Sequence, residues 1–395
     1  MKVVKCLLPI LLIGLIIFGI GCSGIDKTDI EEVITNELDL LKNLDSDTTL
    51  KYISYRELFP DAENNDQLSD RITEVFSLFF KDFDYKILSI DVDQKNHSAT
   101  ADLRLTTLDA QALARDYASA LLKKDIMDAA ENTENTNETG LSLEERYTVL
   151  SELLKDTEYD TVQHECSIEL SSTEDDTWEI KRTYSLENDL VGNLMTYLSD
   201  PDILSPDETL NVYLKTLKEM NLNQMSNYLG LENSFSDSDT AKQEIALALA
   251  EKIHSSFDYE IVSTDISGYN AQVQTKITTF DSDAILGDYQ EQIDQYLSTS
   301  EAVIDGQEKR YQKSFDILLE CIQKNENTRS SSVTFHLIND GVAWKLEDNS
   351  LELGNAILGT LTQAPSEEED FTDSYRTDEG SEESDYSDSY SYDDY

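Results

Sequence analysis

Two kinds of hydrophobic spacing alternate along this chain. Apolar residues three and four positions apart, which predict an amphipathic helix, first occur between residues 29 and 43. Apolar residues at every second position, which predict a half-buried antiparallel strand, occur between 98 and 107. The predicted helices are 29–43, 48–58, 66–81, 110–129, 143–155, 187–198, 210–217, 224–229, 240–255, 284–297, 308–324 and 351–361. The predicted strands are 85–93, 98–107, 161–170, 178–184, 331–338 and 342–346, with a hairpin across 259–279.

The order of these elements occurs twice, and short sequences within them recur with it. The period is far longer than the roughly 20–50 residues of a solenoid repeat. The recurring sequences are Leu41-Lys42 with Leu217-Lys218, Phe83-Asp84-Tyr85 with Phe257-Asp258-Tyr259, Leu105-Thr106-Thr107-Leu108-Asp109 with Ile277-Thr278-Thr279-Phe280-Asp281, and Trp178 with Trp344. The chain therefore contains two copies of one whole domain.

A linker that contains Pro201 and Pro206 separates the two copies. The predicted domains are residues 28–200 and 203–362, and each should fold alone because each has its own helices, strands and tryptophan. Residues 363–395 are different, since their thirteen carboxylates are accompanied mainly by Ser and Tyr. Such a segment buries too little apolar surface to offset the entropy of ordering, which predicts a disordered acidic tail.

The N-terminus has the pattern of a targeting signal. Lys2 and Lys5 precede a short apolar segment, residues 7–20, and Gly21 then precedes Cys22. This arrangement resembles the signal of bacterial lipoproteins, in which cleavage before the cysteine leaves a lipid on it. The resemblance implies a signal peptide at 1–21, a tether at 22–27 and anchoring to the outer face of the cytoplasmic membrane. The alternative is an uncleaved anchor helix, although the apolar segment is short for a membrane span.

The charge of the chain restricts its partners. The formal net charge is −51, so nucleic acid and a bare anionic membrane surface are excluded as binding partners. A basic protein or peptide is favoured, above all for the acidic tail, and weak association with divalent cations is expected. No zinc spacing, phosphate loop or other cofactor motif is present, so no cofactor is expected.

The order of helices and antiparallel strands resembles the NTF2-like (cystatin-like) fold. The mature chain is similar, over residues 28–361, to lipoproteins of Gram-positive bacteria that carry this domain singly or in tandem. The resemblance implies an α+β protein of two tandem NTF2-like domains, each with a helical layer packed on a curved antiparallel sheet. The helix pair between the two hairpins of each domain is an insertion. Because no catalytic motif accompanies the resemblance, only the fold carries over.

The inserted helices contain the candidate site residues. An Asp-Tyr pair recurs on the first inserted helix and an Arg-Tyr pair on the second, which favours an Asp–Arg bridge between the helices. Alternatively, the tyrosines and arginines line the mouth of a cavity. The residues are Asp116, Tyr117, Arg146 and Tyr147 in the first copy and Asp288, Tyr289, Arg310 and Tyr311 in the second.

Catalytic and metal-binding groups are not predicted. His164 and Cys166 alternate on one strand about 7 Å apart, too far for a hydrogen bond between thiolate and imidazole. Asp91 begins a segment like a calcium loop, but Lys95 occupies a ligand position and no Gly follows. The leading hypothesis is therefore a lipid-anchored binding or scaffold module. The competing hypothesis is an NTF2-like isomerase or hydrolase that uses a cavity in one domain.

Overall fold

The α+β class predicted from the sequence is confirmed by two four-stranded antiparallel sheets with helices packed on them. The structure is a computed structural model that describes residues 27–44, 46–60, 70–131, 141–173, 177–231, 240–347 and 349–363. The predicted signal peptide, the predicted lipidation site Cys22 and the tail after residue 363 lie outside the described residues. None of the helices in these ranges has both the length and the apolar character that a membrane span requires.

The first repeat contains seven helices and four strands within the described residues. The order of its strands in the sheet is β1-β2-β3-β4, and the helix pair α4–α5 is inserted between β2 and β3. The elements are α1 (Lys27–Lys42), α2 (Ser46–Tyr52), α3 (Asp70–Phe79), β1 (Asp84–Asp93), β2 (Ser98–Leu108), α4 (Ala110–Ala130), α5 (Leu143–Asp156), β3 (Thr161–Ser172), β4 (Trp178–Ile180), α6 (Tyr184–Leu190) and α7 (Leu194–Leu198).

The second repeat has the same strand order and the same insertion. A short additional helix joins its inserted pair, and a 3₁₀ helix (Gly359–Gln363) follows its last helix. The elements are α8 (Pro206–Glu219), α9 (Leu222–Tyr228), α10 (Thr240–Ser256), β5 (Asp258–Ser267), β6 (Asn270–Phe280), α11 (Ser282–Leu297), α12 (Ser300–Ile304), α13 (Gln307–Lys324), β7 (Thr328–Asn339), β8 (Trp344–Leu346) and α14 (Asn349–Leu358).

The recurring sequences occupy equivalent structural positions. The β1–β2 and β5–β6 hairpins each contain a bulge, at Leu88 and at Val262. Asp109 and Asp281 are the N-caps of α4 and α11, where each carboxylate accepts a hydrogen bond from a backbone N–H in the first helical turn. The duplication is therefore visible in the hydrogen bonds as well as in the sequence.

Each sheet buries one face against its helices. On β2 the residues that face the helices are Ala99, Ala101, Leu103 and Leu105, as the alternation predicts, and all four are buried. The tryptophans Trp178 and Trp344 are both buried, each at the start of the last strand of its sheet. The opposite face of each sheet consists mainly of polar side chains.

Some predicted boundaries are wrong. The predicted strand 178–184 has only three residues, because β4 pairs only with the end of β3. The predicted helix 187–198 is two helices, since Gly192 and Asn193 have positive φ angles of 60° and 66° that end α6. The predicted strand 342–346 also shortens to three residues, β8.

The helix α4 belongs to the first repeat but also packs against the second. Ile126 and Ala130, near its C-terminal end, are part of the apolar core of the second repeat. Arg115 pairs with Glu208 of α8, and Lys123 Nζ lies 2.6 Å from Glu219 Oε2. The amide of Gln224 donates to Glu131 over 2.9 Å. The two repeats are thus connected not only by the linker 199–205 but also by side-chain contacts of α4 with the second repeat.

Candidate functional site

The candidate tyrosines of the first repeat lie in the core rather than at a cavity mouth. Tyr117 on α4 and Tyr147 on α5 are both buried. Their ring centroids lie 5.6 and 5.4 Å from that of Phe59. The Tyr147 hydroxyl donates to the backbone carbonyl of Tyr55 over 2.8 Å. Contacts of this geometry between aromatic rings stabilise a core.

The predicted Asp–Arg bridge is wrong in the first repeat. The Asp116 carboxylate accepts a hydrogen bond from the Tyr159 hydroxyl over 2.8 Å. The Arg146 guanidinium lies 5.4 Å above the Phe59 ring, and its Nε donates to the Leu141 carbonyl. Neighbouring residues on a helix point about 100° apart. With Tyr117 in the core, Asp116 therefore points to solvent instead of towards α5.

The second repeat has the same arrangement of the arginine. Arg310 Nε donates to the Ala302 carbonyl over 2.6 Å. The carboxylate of Asp288 is exposed to solvent. The predicted bridge between Asp288 and Arg310 is therefore wrong as well. Tyr289 is partly buried, and Tyr311 packs edge to face on Phe315 at 4.7 Å. Each duplicated arginine thus binds a backbone carbonyl that precedes its own helix, which is a structural role.

The pKa values of the buried candidate tyrosines agree with a structural role for these residues. Burial raises the pKa of Tyr147 well above its ordinary value, and burial also raises the pKa of Tyr117. The pKa of Tyr289 is raised by burial as well. A phenol with a raised pKa stays protonated at neutral pH, so none of the three serves as a general base there.

His164 and Cys166 do not form a nucleophilic pair. His164 Nε2 lies 2.9 Å from the backbone carbonyl oxygen of Asp189. The pKa of the Cys166 thiol is raised to about 12, mainly by burial. The nearby carboxylates of Asp189 and Asp102 have a smaller effect in the same direction. The thiol is therefore protonated at neutral pH and is a poor nucleophile.

Sequence reasoning missed the contact between His336 and Glu352. His336 Nδ1 lies 2.7 Å from Glu352 Oε1, and the second carboxylate oxygen accepts from the backbone N–H of His336. The polar orientation of His336 on its strand was visible in the alternation, but its partner lies on α14. On the neighbouring strand β6, the residue paired with His336 is Gln272. Its side-chain amide supplies neither a nucleophile nor an acid–base group. This contact holds α14 against the edge of the sheet.

An open cleft of about 490 Å³ lies where α8, α9 and α10 meet. Its ionisable residues are Glu219, Glu251 and His254, and Met220 is fully buried beneath it. Glu219 is bound by Lys123 of the first repeat, and this contact lowers the pKa of the Glu219 carboxyl. Within the described ranges, no three His, Cys, Asp or Glu side chains are grouped closely enough to hold a metal ion.

Comparison with known proteins gives one structural likeness. No family model and no curated protein matches the chain. A crystal structure at 2.62 Å of a Bacillus subtilis protein described as a lipoprotein, ycdA, matches with a TM-score of 0.25 and 12% identity. The match covers 70% of this chain and 94% of that one.

Proposed function

We propose that this chain is a lipid-anchored protein on the outer face of a bacterial cytoplasmic membrane that acts as a binding or scaffold module. The anchor is proposed at Cys22, because Gly21-Cys22 follows a short apolar segment with two preceding lysines. The two repeats are proposed to be NTF2-like domains, on the pattern of three helices, a hairpin, an inserted helix pair and a second hairpin.

The observation that carries the binding or scaffold proposal is the role of the duplicated residues. Lys42 binds Asp84 over 2.7 Å, and Lys218 binds Asp258 over 2.9 Å at the equivalent place. Asp109 and Asp281 cap helices, while Arg146 and Arg310 bind backbone carbonyls. What the duplication preserved is thus the set of contacts that builds the domain. In the described residues we find no observation that favours the competing isomerase or hydrolase.

The anchoring proposal is tested by replacing Cys22. In Cys22→Ala, the protein should accumulate as an unprocessed precursor or appear in the soluble fraction, and it should lose incorporation of labelled fatty acid. Cys6→Ala is the matched control, because it changes the cysteine directly before the apolar segment and should leave processing and labelling unchanged. Normal processing and membrane retention of Cys22→Ala would show that the lipoprotein interpretation is wrong.

A further inference from the structure

The contact between α4 and α8 shows how one helix of this fold receives another on its outer side. Arg115 and Lys123 of α4 each pair with a glutamate of α8, and the partner of Lys123 is Glu219. Thr216 lies one turn before Glu219 and Met220 lies directly after it, and the two are only 1% and 0% exposed. A helix that carries basic and aliphatic side chains thus covers this side of α8.

The equivalent side of α1 is not covered in the first repeat. The recurring Leu-Lys sequence aligns α1 with α8, so Leu40 is the counterpart of Thr216 and Leu44 is the counterpart of Met220. The side chains of Leu40 and Leu44 are 43% and 42% exposed. The helix α1 packs mainly on α2, β1 and β4, and these contacts leave both leucines open to solvent.

The backbone at Leu44 does not favour a leucine. Leu44 follows the last turn of α1 with a φ of +62°, and its N–H donates to the Leu41 carbonyl over 3.0 Å. A residue with a branched side chain is sterically disfavoured in this left-handed region, whereas Gly or Asn is tolerated at such a helix end. Leu44 is also outside the apolar core of the first repeat. Neither the backbone nor the core therefore requires a leucine at this position.

Acidic side chains accompany the two exposed leucines. The helix α1 contains five carboxylates and two lysines. Glu32, about two turns before Leu40, is the counterpart of the Glu208 that Arg115 binds in the second repeat. Glu32 is exposed, and it forms no ion pair with any residue that the structure describes. The place that a basic residue of α4 occupies on α8 is thus open on α1.

The combination of negative charge and apolar area restricts what can cover this side of α1. A second copy of the chain has the same net charge of −51 and would bring further carboxylates to α1. An anionic bilayer would be repelled in the same way. A helix with basic residues and an aliphatic face complements both the charge and the apolar area, as α4 does on α8.

We infer that the α1 face, formed by Glu32, Leu40 and Leu44, is the docking surface for a basic amphipathic helix of another protein. The inference rests on the proposed function, because it gives the binding module a partner class and a surface. Aliphatic side chains of the partner cover Leu40 and Leu44, and a basic residue about two turns away reaches Glu32. The partner helix thereby makes on the first repeat the contact that α4 makes on the second.

The test uses the full mature chain with Cys22→Ala in solution and two short synthetic peptides of Leu and Lys. One peptide has its leucines at helical spacing, and the other has the same composition in an order that forms no apolar face. The first peptide should bind more tightly. The variant Leu40→Thr, Leu44→Asn should lose about tenfold in affinity for the first peptide and should bind the second one unchanged. Glu32→Gln should weaken binding of the first peptide and reduce its dependence on salt.

The substitutions on the α1 face are chosen to suit the fold. Leu40→Thr introduces the residue found at the equivalent place in the second repeat, and Leu44→Asn suits the positive φ, so the melting temperature should not fall. The matched control is Leu247→Thr, Leu88→Asn, which removes two leucines that are 43% and 39% exposed elsewhere on the chain. This control variant should bind both peptides as the unsubstituted chain does.

Equal losses in the two double variants, or no loss in the α1 face variant, would overturn the inference. So would equal affinity for the two peptides, or sedimentation showing a dimer that only the α1 face variant disperses. Should the double variant unfold, Glu32→Gln decides, because it changes only an exposed side chain. Tight peptide binding that no α1 face substitution changes would overturn the inference and leave the binding module standing. All measurements use unlipidated protein, so anchoring at Cys22 is decided separately.

Discussion

Lys42 and Lys218 hold the same place in the two repeats, and each binds the first residue of a sheet. The contact lowers the pKa of Asp84 and of Asp258, each through a hydrogen bond from its lysine. Exposed ion pairs of this kind contribute little to stability, because solvent and salt screen them. Their recurrence therefore indicates a role in fixing how the first helix of each repeat meets the edge strand.

Gly192 allows a close approach that a side chain would prevent. Its φ is +60°, and an added Cβ would lie 2.7 Å from Thr107 Oγ1 and 3.3 Å from the Leu108 carbonyl. Gly192→Ala should therefore lower the free energy of unfolding by more than the roughly 1–2 kcal/mol of a positive φ alone. Gly268→Ala is the control, because Gly268 has a φ of +63° with open space around it. Equal losses in urea denaturation would contradict the steric argument.

The thiols of Cys166 and Cys321 should be unreactive in the folded protein. Both are buried, and burial raises the pKa of each thiol. With a pKa of about 12 for Cys166, the thiolate fraction at pH 8 falls by on the order of a thousandfold from that of an ordinary cysteine. Ellman's reagent should react slowly with native Cys22→Ala mature protein and rapidly in urea. Cys166→Ser and Cys321→Ser assign the reaction, and fast native labelling of Cys166 would contradict the prediction.

For single residues, the sequence predicts burial well but predicts poorly which side chains contact each other. The alternation on β2 and the helical spacing on α1 predict core residues correctly, because burial follows from the period of one element. The contacts of Arg146 with Phe59, and of His336 with Glu352, join elements distant in the chain. Local patterns contain no information on which loop or helix end will lie beside a given side chain.

The same distinction applies to whole elements. The long helices α4 and α13 are predicted to within about two residues, since their apolar spacing extends over several turns. The break between α6 and α7 was missed because Val191-Gly192-Asn193 lies within an otherwise helical pattern. Asn188 stabilises the break, since its amide donates to Thr196 Oγ1 over 2.7 Å and to Asn193 Oδ1 over 3.1 Å. The short strands β4 and β8 depend on neighbours that their own sequence does not specify.

The helix α4 links the stability of the two repeats. Ile126 is 3% exposed and lies in the core of the second repeat. Ile126→Ala should destabilise that repeat by about 2–5 kcal/mol, although the residue is in the first. Hydrogen exchange should therefore increase in α8 and α9 and not in β1 and β2. The control Ala129→Ser changes an exposed residue three positions on and should have little effect.

The predicted domain boundary at 200–203 is tested by the fragments 24–200 and 203–362. Fragment 203–362 lacks α4, so the apolar surface that Ile126 and Ala130 cover is exposed in it. We expect a cooperative thermal transition in both fragments, with a lower melting temperature for the second repeat than in the intact chain. A fragment without a transition would mean that the repeats share one folding unit.

The whole molecule carries far more negative charge than its ion pairs can compensate. At −51, repulsion between carboxylates opposes the compact state, and salt screens that repulsion. Sodium chloride also weakens the surface ion pairs, but these contribute little. The melting temperature should therefore rise by a few degrees between low and moderate salt. A fall over the same range, measured by circular dichroism, would mean that the ion pairs outweigh the repulsion.

The parallel contact of α4 with α8 has a mechanical consequence. Arg115 meets Glu208 near the start of both helices, and Lys123 meets Glu219 about two turns further along α4 and about three turns further along α8, so the two helices run in the same direction. Tension that slides one helix along the other loads these contacts simultaneously, in shear. The apolar side chains of Ile126 and Ala130 must leave the second core in the same event. A pull along this direction therefore meets the combined resistance of both repeats, whereas domains joined by a linker alone would yield one after the other.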